Sequence, residues 1–314
     1  MTKQYKAVLI GNGTMGGRHR ARFEACGVEF VAVLDKECSD ESVLAASIAG
    51  KEFDFAVVAT PASSHYGYAK FFLERKIPVL VEKPLAITGE EAQELVALSE
   101  QNDTLLFVAQ SECFNPLFLN FRKHFLLELN SLYETRGNSP ELSHGRSPEL
   151  PAKGVPAVRL EFRREHQYSP RCRDVDVSVD LLVHDLGLFF TLFRYEDVEV
   201  SFKTSAESRD RARLYLKVVR GPYKGVSADF YANRDSDVDV RTISVSYGRQ
   251  GGSPGSDYTV SLAHYLENGD IAHIPDSLEN EHKFFLKLLA GACTDWGRRA
   301  AQNAADCVKI AARQ

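Results

Sequence analysis

Lys6-Ala7-Val8-Leu9-Ile10-Gly11-Asn12-Gly13-Thr14-Met15-Gly16 is the stretch on which the fold turns. An apolar run leads into three glycines in the order G-x-G-x-x-G, and each part has a physical reading. The apolar run predicts a strand buried on both faces and ending at Ile10. Gly11 permits a tight turn, Gly13 lets another molecule approach the backbone, and Gly16 lets the following helix pack close to the strand. A helix beginning near Thr14 presents unsatisfied N–H groups, which attract anions. A second apolar run, at 30–34, ends on Asp35, where a carboxylate accepts hydrogen bonds from ribose hydroxyls. Strand, glycine loop, helix, strand and acid together predict a dinucleotide site contacted by Gly11, Asn12, Gly13, Thr14, Met15, Gly16 and Asp35. A carboxylate at 35 repels a 2′-phosphate and so favours NAD, while Lys36 beside it leaves NADP open.

Outward from this loop, apolar runs at 6–10, 30–34, 55–59, 79–81 and 105–109 alternate with helical patterns at about 65–75 and 89–100. Thr88, with Glu91 three residues on, makes a capping box for the second of these helices. Such alternation predicts a doubly wound parallel sheet. From about 155 the pattern changes to alternating polar and apolar residues, at 155–163, 197–204, 213–219, 225–231 and 237–247. That period suits a largely antiparallel sheet with one face covered. Helical patterns at 278–290 and 298–312 follow. The fold class expected is an α/β Rossmann domain over residues 1–120, then an α+β domain over 121–314 built on a large, mainly antiparallel open sheet. Between about 128 and 154 the chain turns polar, carries Pro140, Pro148 and Pro151, and repeats Ser-Pro-Glu-Leu at 139–142 and 147–150. It reads as a surface insertion, either a solvated loop or a lid.

Composition narrows the classes of function. With 38 Lys and Arg against 43 Asp and Glu, the formal net charge is -5, which argues against nucleic acid as a partner. No apolar run approaches the roughly 18 residues of a membrane span. Met1-Thr2-Lys3-Gln4-Tyr5-Lys6 passes directly into the first strand without a leader-like segment, so a cytoplasmic protein with no membrane partner is expected. The six cysteines (Cys26, Cys38, Cys113, Cys172, Cys293 and Cys307) are scattered with no C-x-x-C pair, so neither disulfides nor a metal site is expected.

Further motifs extend the opening pattern. Gly11 to His19 fits G-x-G-x-x-G-x-x-H. Ala59-Thr60-Pro61-Ala62-Ser63-Ser64-His65 follows the third predicted strand, Glu82-Lys83-Pro84 the fourth, and Glu112-Cys113-Phe114-Asn115-Pro116 the fifth. Asp180-Leu181-Leu182-Val183-His184-Asp185 lies further on. Five motifs in this order resemble those of the glucose–fructose oxidoreductase/inositol dehydrogenase (Gfo/Idh/MocA) family. The resemblance implies an NAD(P)-dependent oxidoreductase acting on CH–OH groups, moving a hydride between nicotinamide and a sugar, polyol or sugar derivative, nucleotide sugars included. It also implies that Thr60, Pro61, His65, Glu82 and Lys83 lie along the cofactor, that Lys83 orients the cofactor or a substrate oxygen, and that Asn115 stands near cofactor or substrate. A cis peptide before Pro84 suits a deliberate turn of this kind. Two features depart from the family pattern. Residues 174–179 replace glycines that often precede the D-x-x-x-H helix, and Cys113 replaces an arginine usual in members acting on sugar nucleotides.

The chemistry can be argued independently. Oxidising an alcohol requires a hydride acceptor, a base for the hydroxyl proton, and a group that holds the oxygen. An imidazole titrates near neutral pH, which suits His184 to the proton. Asp180, four residues earlier, shares its face of a helix and either polarises the ring or binds a substrate hydroxyl. Lys83, Asp180 and His184 are therefore the candidate catalytic residues, and Lys83, Asn115, Arg163, Asp180 and His184 the candidate substrate contacts. Arg163 belongs to a basic stretch with Arg159, Arg164, Arg171 and Arg173, which either grips a phosphate or carboxylate or is the polar side of an exposed strand. His19 and His65 read as packing residues or cofactor neighbours. The rival reading is a catalytically inactive dinucleotide-binding regulatory protein of the same fold. An open antiparallel sheet calls for cover, so a homodimer or homotetramer is expected.

Overall fold

The computed structural model describes residues 3–35, 41–134, 157–168, 174–248, 257–263, 276–292 and 294–312. Two compact units share the chain. Met1–Asn115, Pro170–Gly187 and Pro275–Gln314 make the first, and Pro116–Ser169 with Leu188–Ile274 the second. The helices are α1 (Thr14–Ala25), α2 (Glu41–Ile48), α3 (His65–Glu74), α4 (Gly89–Gln101), α5 (Pro116–Glu134), α6 (Val183–Phe190), α7 (Ser277–Leu289) and α8 (Thr294–Ala311). None of the described helices is long and apolar enough to cross a membrane.

In the first unit, β1 (Lys6–Ile10), β2 (Glu29–Leu34), β3 (Phe55–Val58), β4 (Val79–Glu82) and β5 (Leu106–Ala109) form a wholly parallel sheet in the order β2-β1-β3-β4-β5. Successive side chains point to opposite faces, and here both faces are covered. Val8, Ile10, Val58, Val81 and Val108 pack with residues of α2, α3, α4 and α8, whereas Leu9, Phe55, Val57 and Phe107 pack with Phe23 of α1 and Phe285 of α7. That is why these strands read as unbroken apolar runs rather than as an alternation. The capping box at the start of α4 is present: Thr88 Oγ1 accepts the Glu91 N–H at 3.2 Å, and Glu91 returns a carboxylate to the Thr88 N–H.

The second unit holds a six-stranded sheet in the order β11-β10-β6-β9-β8-β7, made of β6 (Ala157–Glu165), β7 (Val198–Ser208), β8 (Arg211–Val218), β9 (Ser227–Asn233), β10 (Val240–Gly248) and β11 (Tyr258–Ser261). The β6–β9 pair is parallel and the remaining pairs are antiparallel, so the sheet is mixed and mainly antiparallel as expected. Along β6, Val158, Leu160 and Phe162 are buried, and Phe162 stacks on its cross-strand partner Phe230 with centroids 4.8 Å apart. Arg159, Glu161 and Arg163 alternate with them on the exposed side. There Arg159 donates to Asp229 at 3.0 Å, so the basic stretch is in part the polar side of a strand. Arg171 and Arg173 lie outside the described residues.

Helix α5 corrects one expectation. It begins with Pro116 at its first position and buries Phe118, Phe121, Phe125 and Leu129 on one stripe, so residues 128–134 are helical rather than the start of a loop. The remainder of the predicted insertion, from 135 onward, lies outside the described residues.

Candidate active site

The strand order reverses at β1, which has β2 on one side and β3 on the other. In such sheets ligands bind beyond the carboxyl ends of the strands at this switch point. The glycine loop lies there. Gly11 has φ 90° and donates its N–H to Leu34 O at 2.8 Å; a Cβ on it would fall 2.6 Å from the Ala59 carbonyl oxygen. A Cβ on Gly16 would fall 1.9 Å from the Gly11 carbonyl oxygen, so the helix can come this close to the turn only with glycine there. Gly13 is different: a Cβ there meets nothing within 4 Å, leaving its backbone open to an approaching group. It caps α1 in an extended conformation without a side-chain cap, and the first turn carries no acid. First-turn N–H groups without intrahelical partners, open backbone and no carboxylate fit a pyrophosphate. Asn12 and Thr14 are exposed, Met15 is half-buried, and Asp35 is exposed directly after β2.

Because the sheet is parallel, the loops after β3, β4 and β5 leave the same edge. His65 ties two of them together. Its Nδ1 lies 2.7 Å from the Pro84 carbonyl oxygen and its Nε2 2.9 Å from that of Thr60. Burial lowers the His65 pKa below the ordinary imidazole value, with the two carbonyls acting in the opposite direction. The ring is 1% exposed, so it positions Thr60 and Pro84 rather than presenting itself at the surface. Thr60 is half-buried and accepts the Ser64 hydroxyl at 2.8 Å, and Pro61 is exposed. The Lys83–Pro84 peptide is cis.

Lys83 and Asp180 meet directly. The Lys83 ammonium donates to Asp180 Oδ1 at 2.9 Å and to the Asp180 carbonyl oxygen at 3.0 Å, with the two side chains 16% and 6% exposed. Residues Ser178–Leu182 form a π-turn leading into α6, not the regular α-helix the spacing predicts. A π-turn displaces carbonyls from the ordinary ladder, and such turns gather at functional sites. Here the displaced geometry gives Lys83 a second acceptor on the same residue. His184 follows, half-buried, in the first turn of α6, and Asp185 beside it is buried. Gly187 seats α6 against Gln110 after β5, where a Cβ would stand 2.8 Å from Gln110 Oε1.

Glu82, at the end of β4, is 6% exposed; Oε1 lies 2.7 Å from His19 Nε2 and Oε2 accepts the Lys83 N–H at 3.1 Å. Burial pushes its carboxyl up, but the hydrogen bond from His19 and the charges of His19 and Lys83 outweigh that and hold it below the usual carboxylate range. Asn115 is buried and donates to Glu112 at 3.4 Å. Arg163 lies on β6 of the second unit and pairs with Glu165.

Sequence reading passed over Glu281 and His282. Both are 0% exposed on α7, and His282 Nε2 lies 2.7 Å from His19 Nδ1 while its ring stacks on Phe23 with centroids 3.9 Å apart. Burial, then the charges of His19 and Arg22, take the His282 pKa down to about 2. Burial, then the charges of Glu82 and Asp276, raise the Glu281 pKa well above the usual carboxylate value. The signal was available. Leu278, Glu281, His282, Phe285 and Leu288 share the buried stripe of an amphipathic helix, and two of those five positions are ionisable.

Comparison with known proteins agrees with this architecture. Residues 5–110 match the Gfo/Idh/MocA family model, described as an oxidoreductase family with an NAD-binding Rossmann fold. UDP-N-acetylglucosamine 3-dehydrogenase of Acidithiobacillus ferrooxidans is 24% identical over 217 residues, which is 66% of this chain and 60% of that protein. Inositol 2-dehydrogenase 1 of Saccharopolyspora erythraea is 26% identical over 224 residues, 66% of this chain and 60% of that protein. The matched stretch thus spans less than two thirds of either relative. Among solved structures, the WlbA dehydrogenase of Bordetella pertussis, in complex with NADH and UDP-GlcNAcA, superposes with a TM-score of 0.68 at 16% identity, covering 98% of this chain and 95% of that one. At that identity the likeness bears on the fold.

Proposed function

We propose that this chain transfers a hydride between a nicotinamide dinucleotide, NAD in preference to NADP, and a carbinol of a sugar, polyol or sugar derivative, nucleotide sugars included. The observation that carries the reading is the Lys83–Asp180 pair, a nearly buried ammonium held by two oxygens of one residue, at the strand edge where the glycine cradle opens. The names of two relatives, a nucleotide-sugar 3-dehydrogenase and an inositol 2-dehydrogenase, support the substrate class. Asp35 at the end of β2 supports NAD.

A bound nicotinamide supplies the hydride acceptor. The protein's side chains do the rest. Gly13 and the first turn of α1 hold the pyrophosphate, with Asn12, Thr14 and Met15 around it. Asp180 fixes the Lys83 ammonium through carboxylate and carbonyl, so the third donor of the ammonium is aimed rather than free to turn. That donor holds the carbinol oxygen and steadies negative charge as it develops there. His184 takes the hydroxyl proton on an imidazole nitrogen and returns it in the reverse direction. His65 keeps the loops bearing Thr60 and Pro84 in place, and Asn115 completes the polar lining.

Steady-state kinetics with the cofactor affinity measured separately test these roles. Lys83→Ala and His184→Ala should each lower kcat by ~10²-fold or more with little change in cofactor affinity. Turnover near that of the wild type in His184→Ala removes this histidine from the mechanism.

A further inference from the structure

Four ionisable side chains, His19, Glu82, Glu281 and His282, meet in the core of the first unit. His19, Glu281 and His282 each offer one ligand atom, and these three atoms lie within 4.8 Å of one another. All three residues are 0% exposed. Among the described residues, neither carboxylate oxygen of Glu281 has a hydrogen-bond partner, and neither does His282 Nδ1. A buried carboxylate with both oxygens unsatisfied is costly, and burial of charge is tolerated when it is paired or bound to a metal.

We propose that His19, His282 and Glu281 form a binding site for a divalent transition-metal ion, zinc foremost, with Glu82 behind His19 as its outer partner. Two imidazoles and one carboxylate are a ligand set that zinc accepts, and imidazole ligands serve cobalt and nickel as well. The outer shell has the form that metal-bound histidines adopt. Glu82 Oε1 lies 2.7 Å from His19 Nε2 and accepts its N–H, so the Nδ1 lone pair of His19 faces His282 and Glu281. Charge closes as well. One dication balances the carboxylates of Glu82 and Glu281, while both histidines ligate as neutral rings. His19 Nδ1 and His282 Nε2 now stand 2.7 Å apart, whereas two nitrogens on one tetrahedral zinc stand about 3.3 Å apart. Loading therefore separates the rings by about half an ångström, between helices α1 and α7. The site would fasten α1, α7 and the end of β4 together, and through Glu82 it would hold the Lys83 N–H, which Glu82 accepts at 3.1 Å. Sequence spacing does not disclose such a set, because its members are separated by as many as 263 positions.

The test uses the full chain without a polyhistidine tag. Metal content after dialysis is measured by atomic emission, and chelator-treated protein is titrated with Co²⁺ while the visible absorption of the ion and the thermal midpoint are followed. The expected result is about one zinc per chain, a Co²⁺ spectrum of tetrahedral type, and a midpoint raised by either ion. Glu281→Gln, which keeps shape and removes charge, should abolish the spectrum and the shift, and Glu82→Gln should weaken Co²⁺ affinity by about 10–100-fold. Absence of both retained zinc and a Co²⁺ response in the wild-type chain overturns the proposal without recourse to any variant. So does an undiminished response in Glu281→Gln.

Discussion

Asp35 sits exposed at the end of β2, and its part in the account is selectivity. A carboxylate bonded to ribose hydroxyls contributes on the order of 1.5–3 kcal/mol, the value of a hydrogen bond to a charged group. Asp35→Ser should therefore weaken NAD binding by ~10-fold or more and narrow or reverse the preference over NADP, read from dissociation constants for both cofactors. An unchanged ratio would take Asp35 out of cofactor choice. At this scale the motifs were informative to different degrees. Lys83 and Asp180 were both legible as candidates, because each belongs to a short motif with chemistry of its own. Their bond spans 97 positions and follows only from the fold. Glu281 and His282 carry no motif, and only their place on the apolar stripe of α7 marks them.

Among elements, the turn from β1 into α1 is the most constrained. A Cβ at position 16 meets a backbone oxygen at 1.9 Å, and backbone cannot swing aside as a side chain would. Gly16→Ala should cost about 1–3 kcal/mol of stability by overpacking and displace the α1 N-terminus, weakening NAD(H) binding by at least ~10-fold. Calorimetry of binding on the folded fraction checks this, and full affinity in a folded Gly16→Ala chain would contradict the cradle. Five parallel strands were legible because both-face burial writes continuous apolar runs, and β6 because one-face burial writes an alternation. Helix α2, only eight residues, and strand β11, only four, left patterns too short to separate from loop. The π-turn before His184 was also hidden, since spacing of side chains does not report which carbonyl a lysine will capture.

For the whole molecule, the chain's last two helices return to the first sheet and cover both of its faces. Periodicity identifies such helices without naming their destination. Buried His65 gives the fold one point of sensitivity to acid. His65 has its folded pKa depressed by burial, so its contribution to stability is present above the unfolded value near ~6.5 and is lost as pH falls from there toward the folded value. Unfolding then takes up a proton, and stability falls by up to about 1.4 kcal/mol per pH unit for each such ring. Denaturant midpoints between pH 7 and 5 should therefore show a slope that His65→Gln reduces by one proton's share. Parallel slopes for the two chains would mean that His65 does not resist protonation.

The central claim is hydride transfer at the Lys83–Asp180 site, and binding without turnover is its rival. A panel of polyols, free sugars and nucleotide sugars, offered with NAD and, for the matching ketones, with NADH, decides between them when the nicotinamide absorbance is followed on wild-type and Lys83→Ala chains. The account predicts substrate-dependent change in the nicotinamide signal with at least one member of the panel, reduced ~10²-fold or more by Lys83→Ala. Tight NADH binding with no transfer to or from any member, in a folded wild-type chain, would contradict it.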